Sequence, residues 1–252
     1  MSSPVNQEKG SLHIVGIGVG RPGNLTQYAS EVIRRSGAIV GYKRYVEMIS
    51  PILKDQETFS FGMRQEELRC KKAIELALSG KIVSLISSGD PGIYGMASLS
   101  LELALKDKIK DKVEIEIVPG LSSLNHAASL VGAPLSNDFA VISLSDLLVP
   151  WEAIKKRIEA AAGADFVIVF YNPKSKKRTK QIEIARDLCL RYRDPDTPVG
   201  VVRQNGEQAI HNIALLKNIC DQEIDMLTTI IVGNSNSYQS DETMITPRGY
   251  KI

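Results

Sequence analysis

Strong net charge is absent from this chain. Its 31 basic and 29 acidic residues, spread over 252, leave a formal charge of +2. That is too little, on its own, to attract nucleic acid or an anionic membrane surface. Cysteine is scarce: Cys70, Cys189 and Cys220 lie far apart and form no C-x-x-C. A disulfide framework or a structural zinc site is therefore not expected, and a reducing cytoplasm fits. Histidine is scarcer in effect, because His13, His126 and His211 are dispersed. No catalytic triad, metal-ligand cluster or P-loop is visible, so no metal site is expected. No run of about 18 apolar residues occurs, so no membrane span is expected. The opening MSSPVNQEKG is polar and lacks an apolar core, so no secretory signal is expected either.

What is present is a β–α alternation. Short runs rich in aliphatic residues read as strands at Leu12–Gly16, Gly37–Val40, Ile82–Ile86, Val113–Val118, Phe139–Ser143, Phe166–Tyr171, Val199–Arg203 and Thr229–Val232. Runs such as IVSLI and FVIVF suit strands covered on both faces, as in parallel sheets. Helical patterns lie between them at Thr26–Arg35, Arg64–Ser79, Pro91–Leu105, Ser122–Val131, Trp151–Ala162 and Lys177–Leu190. On the last of these, Cys189 shares a face with Ile182 and Ala185 and reads as core. The alternation implies an α/β class. The turn-rich GAPLSNDF, Gly132–Phe139, is the natural break, which gives two α/β domains at 1–135 and 136–252 with a ligand cleft between them.

Four loops carry chemistry. The first, GIGVGRPGNLT, contains G-x-G-x-x-G at Gly18, Gly20 and Gly23. A dinucleotide site also needs a helix starting inside the motif and an acid about 20 residues on. Here the best N-cap is Thr26, and the second strand runs into Gly41-Tyr42-Lys43-Arg44 with no acid. A 2′-phosphate could still match those cations. The favoured reading is a glycine surface facing some other ligand. The second loop, SSGDPGIYG at Ser87–Gly95, has three glycines, more than a cap needs. Asp90 reads either as the cap of a helix starting at Pro91 or as a ligand contact. The third, VPGLSS, places Ser122 and Ser123 at a helix start, where they either cap it or hold a carboxylate. His126 sits one turn later. The fourth, YNPKSKKR, puts Lys174, Lys176, Lys177 and Arg178 next to a helix N-terminus, where positive charge opposes the dipole. A phosphate or polycarboxylate ligand would account for them.

Taken in this order, the loops resemble the tetrapyrrole methylase family over about Leu12 to Tyr250. GIGVGRPGNLT, SSGDPGIYGMA and PGLSS carry the family likeness. FVIVFYNPKSKKR, VVRQNGE, IIVGNSNSY and ITPRGY resemble its members that methylate C-17 of a precorrin and contract the macrocycle in cobalamin biosynthesis. The resemblance implies a two-domain α/β fold with mainly parallel and mixed sheets. It implies a homodimer that uses S-adenosylmethionine and a tetrapyrrole substrate, with no nucleic acid or membrane partner. It places the cofactor against Val19, Asp90, Ile93, Tyr94, Gly95, Ser122, Ser123, Asn172, Arg203, Gln204, Asn234 and Asn236. The substrate would meet Gly18 and Gly20. Its carboxylates would meet Arg21, Lys43, Arg44, Lys174, Lys176, Lys177, Arg178 and Arg248. Asp90, Tyr94 and His126 are the candidates for proton transfer during contraction. Methylation at another macrocycle carbon, an NADP-dependent oxidoreductase on Gly18, Gly20 and Gly23, and a polyanion- or RNA-binding module on Lys174–Arg178 remain as alternatives.

Overall fold

In the computed structural model, which describes residues 9–20, 22–205 and 208–251, the chain divides into two compact units, up to Ser122 and from Ser123. The first is built on β1 (Ser11–Gly16), β2 (Ala38–Tyr42), β3 (Glu57–Phe61), β4 (Ile82–Ser87) and β5 (Glu114–Val118). They form one sheet in the order β3-β2-β4-β1-β5, and every pairing is parallel. Alternation along the strands feeds two cores. Leu12, Ile14, Val83 and Leu85 pack with Cys70, Ala73 and Ala77 of α3 (Glu66–Leu78) and Ala104 of α4 (Ala97–Lys106). Val15, Ile39, Ile86 and Val118 pack with Val32 and Ile33 of α1 (Gln27–Arg35) and Val46 of α2 (Lys43–Ile49). Helices on both faces explain why these strands read as nearly continuous apolar runs.

The second unit opens with α5 (Ser123–Val131) and β6 (Gly132–Ala133). Its main sheet holds β7 (Phe139–Ser143), β8 (Val167–Tyr171), β9 (Pro198–Asn205), β10 (Gln208–Leu215) and β11 (Thr228–Val232) in the order β10-β9-β11-β8-β7. Only β7 and β8 pair in parallel; β8–β11, β11–β9 and β9–β10 are antiparallel. One face carries α6 (Trp151–Gly163) and α7 (Gln181–Cys189), whose Ile154, Ile158, Ile182 and Ala185 meet Phe170, Val201 and Ile230. The other face carries α5 through Leu124, Ala127 and Val131. A small sheet joins β12 (Tyr238–Ser240), β13 (Thr243–Ile245) and β6.

Three sequence readings need correction. The units divide at Ser122/Ser123 and not at 135/136, because α5 buries its apolar face on the second unit's sheet. The helix expected from Pro91 begins only at Ala97, with Met96 in the capping position. Residues 91–96 instead form a loop that holds Tyr94 at φ +52° and folds Gly95 so closely onto Pro91 that a Cβ would sit 2.7 Å from its carbonyl oxygen. The helix expected from Lys177 begins at Gln181, after the turn in which the Ser175 N–H donates to the Arg178 carbonyl at 2.8 Å.

Candidate functional site

Because β4, β1 and β5 are adjacent and parallel, the loops after them leave the same edge of the first unit's sheet. Backbone contact then locks them together. Gly18 and Gly89 form an antiparallel bridge, with the Gly89 N–H donating to the Gly18 carbonyl at 2.7 Å and the Gly18 N–H returning at 3.2 Å. A Cβ on Gly16 would lie 2.6 Å from the Gly89 oxygen, 2.7 Å from the Gly120 nitrogen and 2.8 Å from Pro91. Glycine at position 16 is therefore a requirement of loop-on-loop packing. Asp90 straps the assembly: its Oδ1 accepts from the Gly92 N–H at 2.8 Å and its Oδ2 from the Gly120 N–H at 3.2 Å. Beside this base Ile93 and Tyr94 stand exposed, while Ser122 is buried and Ser123 opens α5.

The dinucleotide pattern dissolves in this geometry. Gly18 is tight, since a Cβ would lie 2.6 Å from the Asn24 oxygen, but Gly23 has nothing within 4 Å. The third glycine therefore mediates no close helix–strand contact, as a dinucleotide fold needs. The following helix starts at Gln27 and is capped by Thr26, whose Oγ1 accepts from the Ala29 N–H at 3.1 Å. Val19 and Gly20 are half-buried in the same loop, and Arg21 lies outside the described residues. Lys43 and Arg44 are exposed at the start of α2, after the carboxyl end of β2.

In the second unit, strand direction sorts the expected contacts. β8 and β9 both run antiparallel to β11, so their carboxyl ends share one edge of the sheet. Asn172, Arg203 and Gln204 belong to that edge. Asn234 and Asn236 follow the carboxyl end of β11 and lie at the opposite edge, where the Gly233 N–H donates to the Pro198 carbonyl at 3.0 Å. There Asn234 is buried, and its Oδ1 accepts from the Asn236 N–H at 3.1 Å and the Ser237 hydroxyl at 3.2 Å. It builds a turn. The two asparagines do not join the other contacts expected in this unit.

The basic loop also divides. Asn172 takes φ +52°, and its Nδ2 donates to Ser143 Oγ at 3.0 Å. Arg178 is only 7% exposed; its guanidinium donates to the Asn172 carbonyl at 2.8 Å and to Ser145 Oγ at 3.4 Å. Burial pulls its pKa down, against the pull of Asp146 4.0 Å away. Arg178 is thus a girder of the loop, not a free carboxylate clamp. Lys176 and Lys177 are exposed, Lys174 is half-buried, and none of the three forms an ion pair among the described residues. Arg203 pairs with Glu223 at 2.7 Å, and Arg248 is exposed in the C-terminal segment. His126 is buried in α5. Sequence reasoning missed Tyr171, whose hydroxyl accepts from the Leu124 N–H at the start of α5, at 2.8 Å. No motif signalled that pairing. Among the described residues no cluster of histidine, cysteine and acid side chains suits a metal, and no helix is long and apolar enough to cross a membrane.

The profile of the Tetrapyrrole (Corrin/Porphyrin) Methylases matches residues 11–212, most of the chain. The chain belongs to the tetrapyrrole methylase family. Over 96% of its length it is 49% identical to the cobalt-factor III methyltransferase of Priestia megaterium, but it spans only 46% of that longer protein. It is 46% identical to a probable cobalt-factor III C(17)-methyltransferase of Salmonella typhimurium, covering 96% of this chain and all of that one. The crystal structure of the methyltransferase CobJ superposes with a TM-score of 0.89 at 32% identity, over 94% of this chain and all of CobJ. The glycine base of Gly16, Gly89 and Gly120 lies within the residues that profile matches.

Proposed function

We propose that this chain transfers a methyl group from S-adenosylmethionine to C-17 of cobalt-factor III, with contraction of the macrocycle, in cobalamin biosynthesis. The names of the Priestia and Salmonella relatives support the substrate. The observation that carries the reading is the side-chain-free base of Gly16, Gly89 and Gly120, strapped by Asp90. It offers a rigid wall at the carboxyl edge of a parallel sheet, where such folds bind ligands.

The cofactor, when bound, supplies an electrophilic methyl on a sulfonium. A macrocycle carbon donating an electron pair would take that methyl and release a neutral thioether. Little acid–base help is needed, so orientation dominates, an effect worth roughly 7 kcal/mol or more in favourable cases. The residues present fit the cofactor. Ile93 and Tyr94 offer exposed apolar surface, and the family resemblance adds Gly95, Val19, Ser122, Ser123, Asn172 and Gln204 as contacts. Asp90 holds the loop that carries Ile93 and Tyr94. Lys43, Arg44, Lys174, Lys176, Lys177 and Arg248 hold the acidic rim of the substrate. Tyr94, exposed on the loop, is the candidate we favour for proton exchange during contraction. The working form is a cytoplasmic homodimer.

Titration calorimetry with S-adenosylhomocysteine and with NADP tests the cofactor: only the first gives heat. Incubation with S-adenosylmethionine and cobalt-factor III then adds one methyl group to the tetrapyrrole. Heat from NADP alone, or no mass gain on the tetrapyrrole, contradicts the reading.

A further inference from the structure

The connection from β7 to α6, residues 144–150, turns two leucines outward although its flanks are firmly held. Leu144 is fully buried, and its N–H donates to the Tyr171 carbonyl at 2.9 Å. Val149 packs against the core beneath α6 and α7. Between them Leu147 and Leu148 are 71% and 96% exposed. The loop has its own tethers. Asp146 Oδ2 accepts from Gln181 Nε2 at 3.0 Å, and Ser145 Oγ accepts from the buried Arg178 at 3.4 Å. Since Arg178 also grips the Asn172 carbonyl, the leucine tip and the lysine-bearing segment after β8 are fastened to one another. The same edge of the sheet therefore presents two adjacent leucines beside Lys174, Lys176 and Lys177.

We infer that Leu147 and Leu148 are a substrate-contacting pair, seated against the apolar ring of a carboxylate-rimmed tetrapyrrole whose acid groups meet the neighbouring lysines. The inference rests on the reading of the chain as a methylase of such a macrocycle. Charge complementarity selects this occupant. A flat anionic macrocycle satisfies leucines and lysines at once. A second copy docked across a two-fold axis would set the same patch against itself and bring lysines against lysines. The placement also explains why Arg178 is buried: its work is to hold the leucine loop and the lysine loop in fixed relation.

The test uses the full chain with Leu147→Ser and Leu148→Ser combined, S-adenosylmethionine, and cobalt-factor III as the tetrapyrrole probe. Both side chains are exposed, so the thermal midpoint is expected to stay at the wild-type value. KM for the tetrapyrrole is expected to rise roughly tenfold, the scale set by removing apolar contacts from a binding surface, while KM for S-adenosylmethionine stays within about twofold. An unchanged tetrapyrrole KM overturns the inference. So does a shift to a smaller sedimenting species, which would make the leucines a contact between copies. Wild-type protein that fails to methylate cobalt-factor III removes the underlying function as well, and that outcome is separate from one in which wild type and variant turn over equally.

Discussion

Asp90 straps two loops of the first unit through its side chain. Both of its carboxylate oxygens accept backbone N–H groups, from Gly92 in its own loop and Gly120 in the next. Asp90→Asn replaces one acceptor with a donor facing an N–H. The expected cost is about 1–3 kcal/mol, read as a lowered thermal midpoint together with weaker S-adenosylhomocysteine binding. Intact binding with an unchanged midpoint would show that the strap is idle. Gly16→Ala is a sharper probe, because its Cβ would press on two backbones and a proline ring, none of which is a flexible side-chain end. Overpacking of this kind costs about 1–3 kcal/mol, and denaturant unfolding measures it. The thiols give the opposite kind of information. Burial pushes Cys189 up to about 12, so it is expected to resist alkylation in the native protein at neutral pH; rapid labelling there would contradict its place in the core.

Helix α1 is pinned at both ends, and the ends fail under different conditions. At its start Thr26 is an N-cap, and Thr26→Ala is expected to cost about 1 kcal/mol in denaturant unfolding. Its body and end join a polar network on the sheet. His13 Nδ1 lies 2.8 Å from Glu116 Oε2, the Tyr28 hydroxyl donates to Glu116 Oε1, and Arg35 stands 3.8 Å away. Burial alone would raise the Glu116 pKa, but the hydrogen bonds from Tyr28 and His13, with the charges of His13 and Arg35, outweigh it and hold the carboxyl below its ordinary range. A depressed acid stabilises the fold fully above its unfolded pKa. That contribution disappears as pH falls through the lower native value. Acid titration of stability is therefore expected to be shallower in Glu116→Gln than in wild type below the ordinary carboxylate range; parallel curves would contradict the network.

Elements were legible where burial on both faces left an unbroken aliphatic run, as in β1, β4, β8 and β11. β3 was missed because ETFSF is largely exposed and has no apolar run to announce it. β10 was missed for the same reason, with His211 and Asn212 outward, although Asn205-Gly206 is a hairpin signal in the sequence. α2 was missed because it is only seven residues long and follows its strand without a break. The late start of α4 was hidden because Asp90-Pro91 is a good helix opening that a tertiary demand overrides: Gly95 must fold onto Pro91.

At the scale of the molecule, the two sheets differ in what they do to their loops. The first is wholly parallel, so every loop that follows a strand emerges at one edge, and sequence order alone was enough to group its motifs. The second is mixed, and strand direction, which the sequence does not reveal, decides which loops meet. That is why Asn234 and Asn236 looked like companions of Asn172 and are not. The consequence is measurable. Asn172→Ala is expected to weaken S-adenosylhomocysteine binding about tenfold, the loss of one or two hydrogen bonds, whereas Asn236→Ala leaves it unchanged by calorimetry.

If the glycine wall serves methyl transfer, the methyl group goes to one carbon of the tetrapyrrole. Incubating the protein with cobalt-factor III and S-adenosylmethionine carrying a carbon-13 methyl, followed by NMR of the product, reads that carbon directly. A single labelled methyl at C-17 of a contracted ring is expected. Label at any other carbon, or an unlabelled macrocycle, would contradict it.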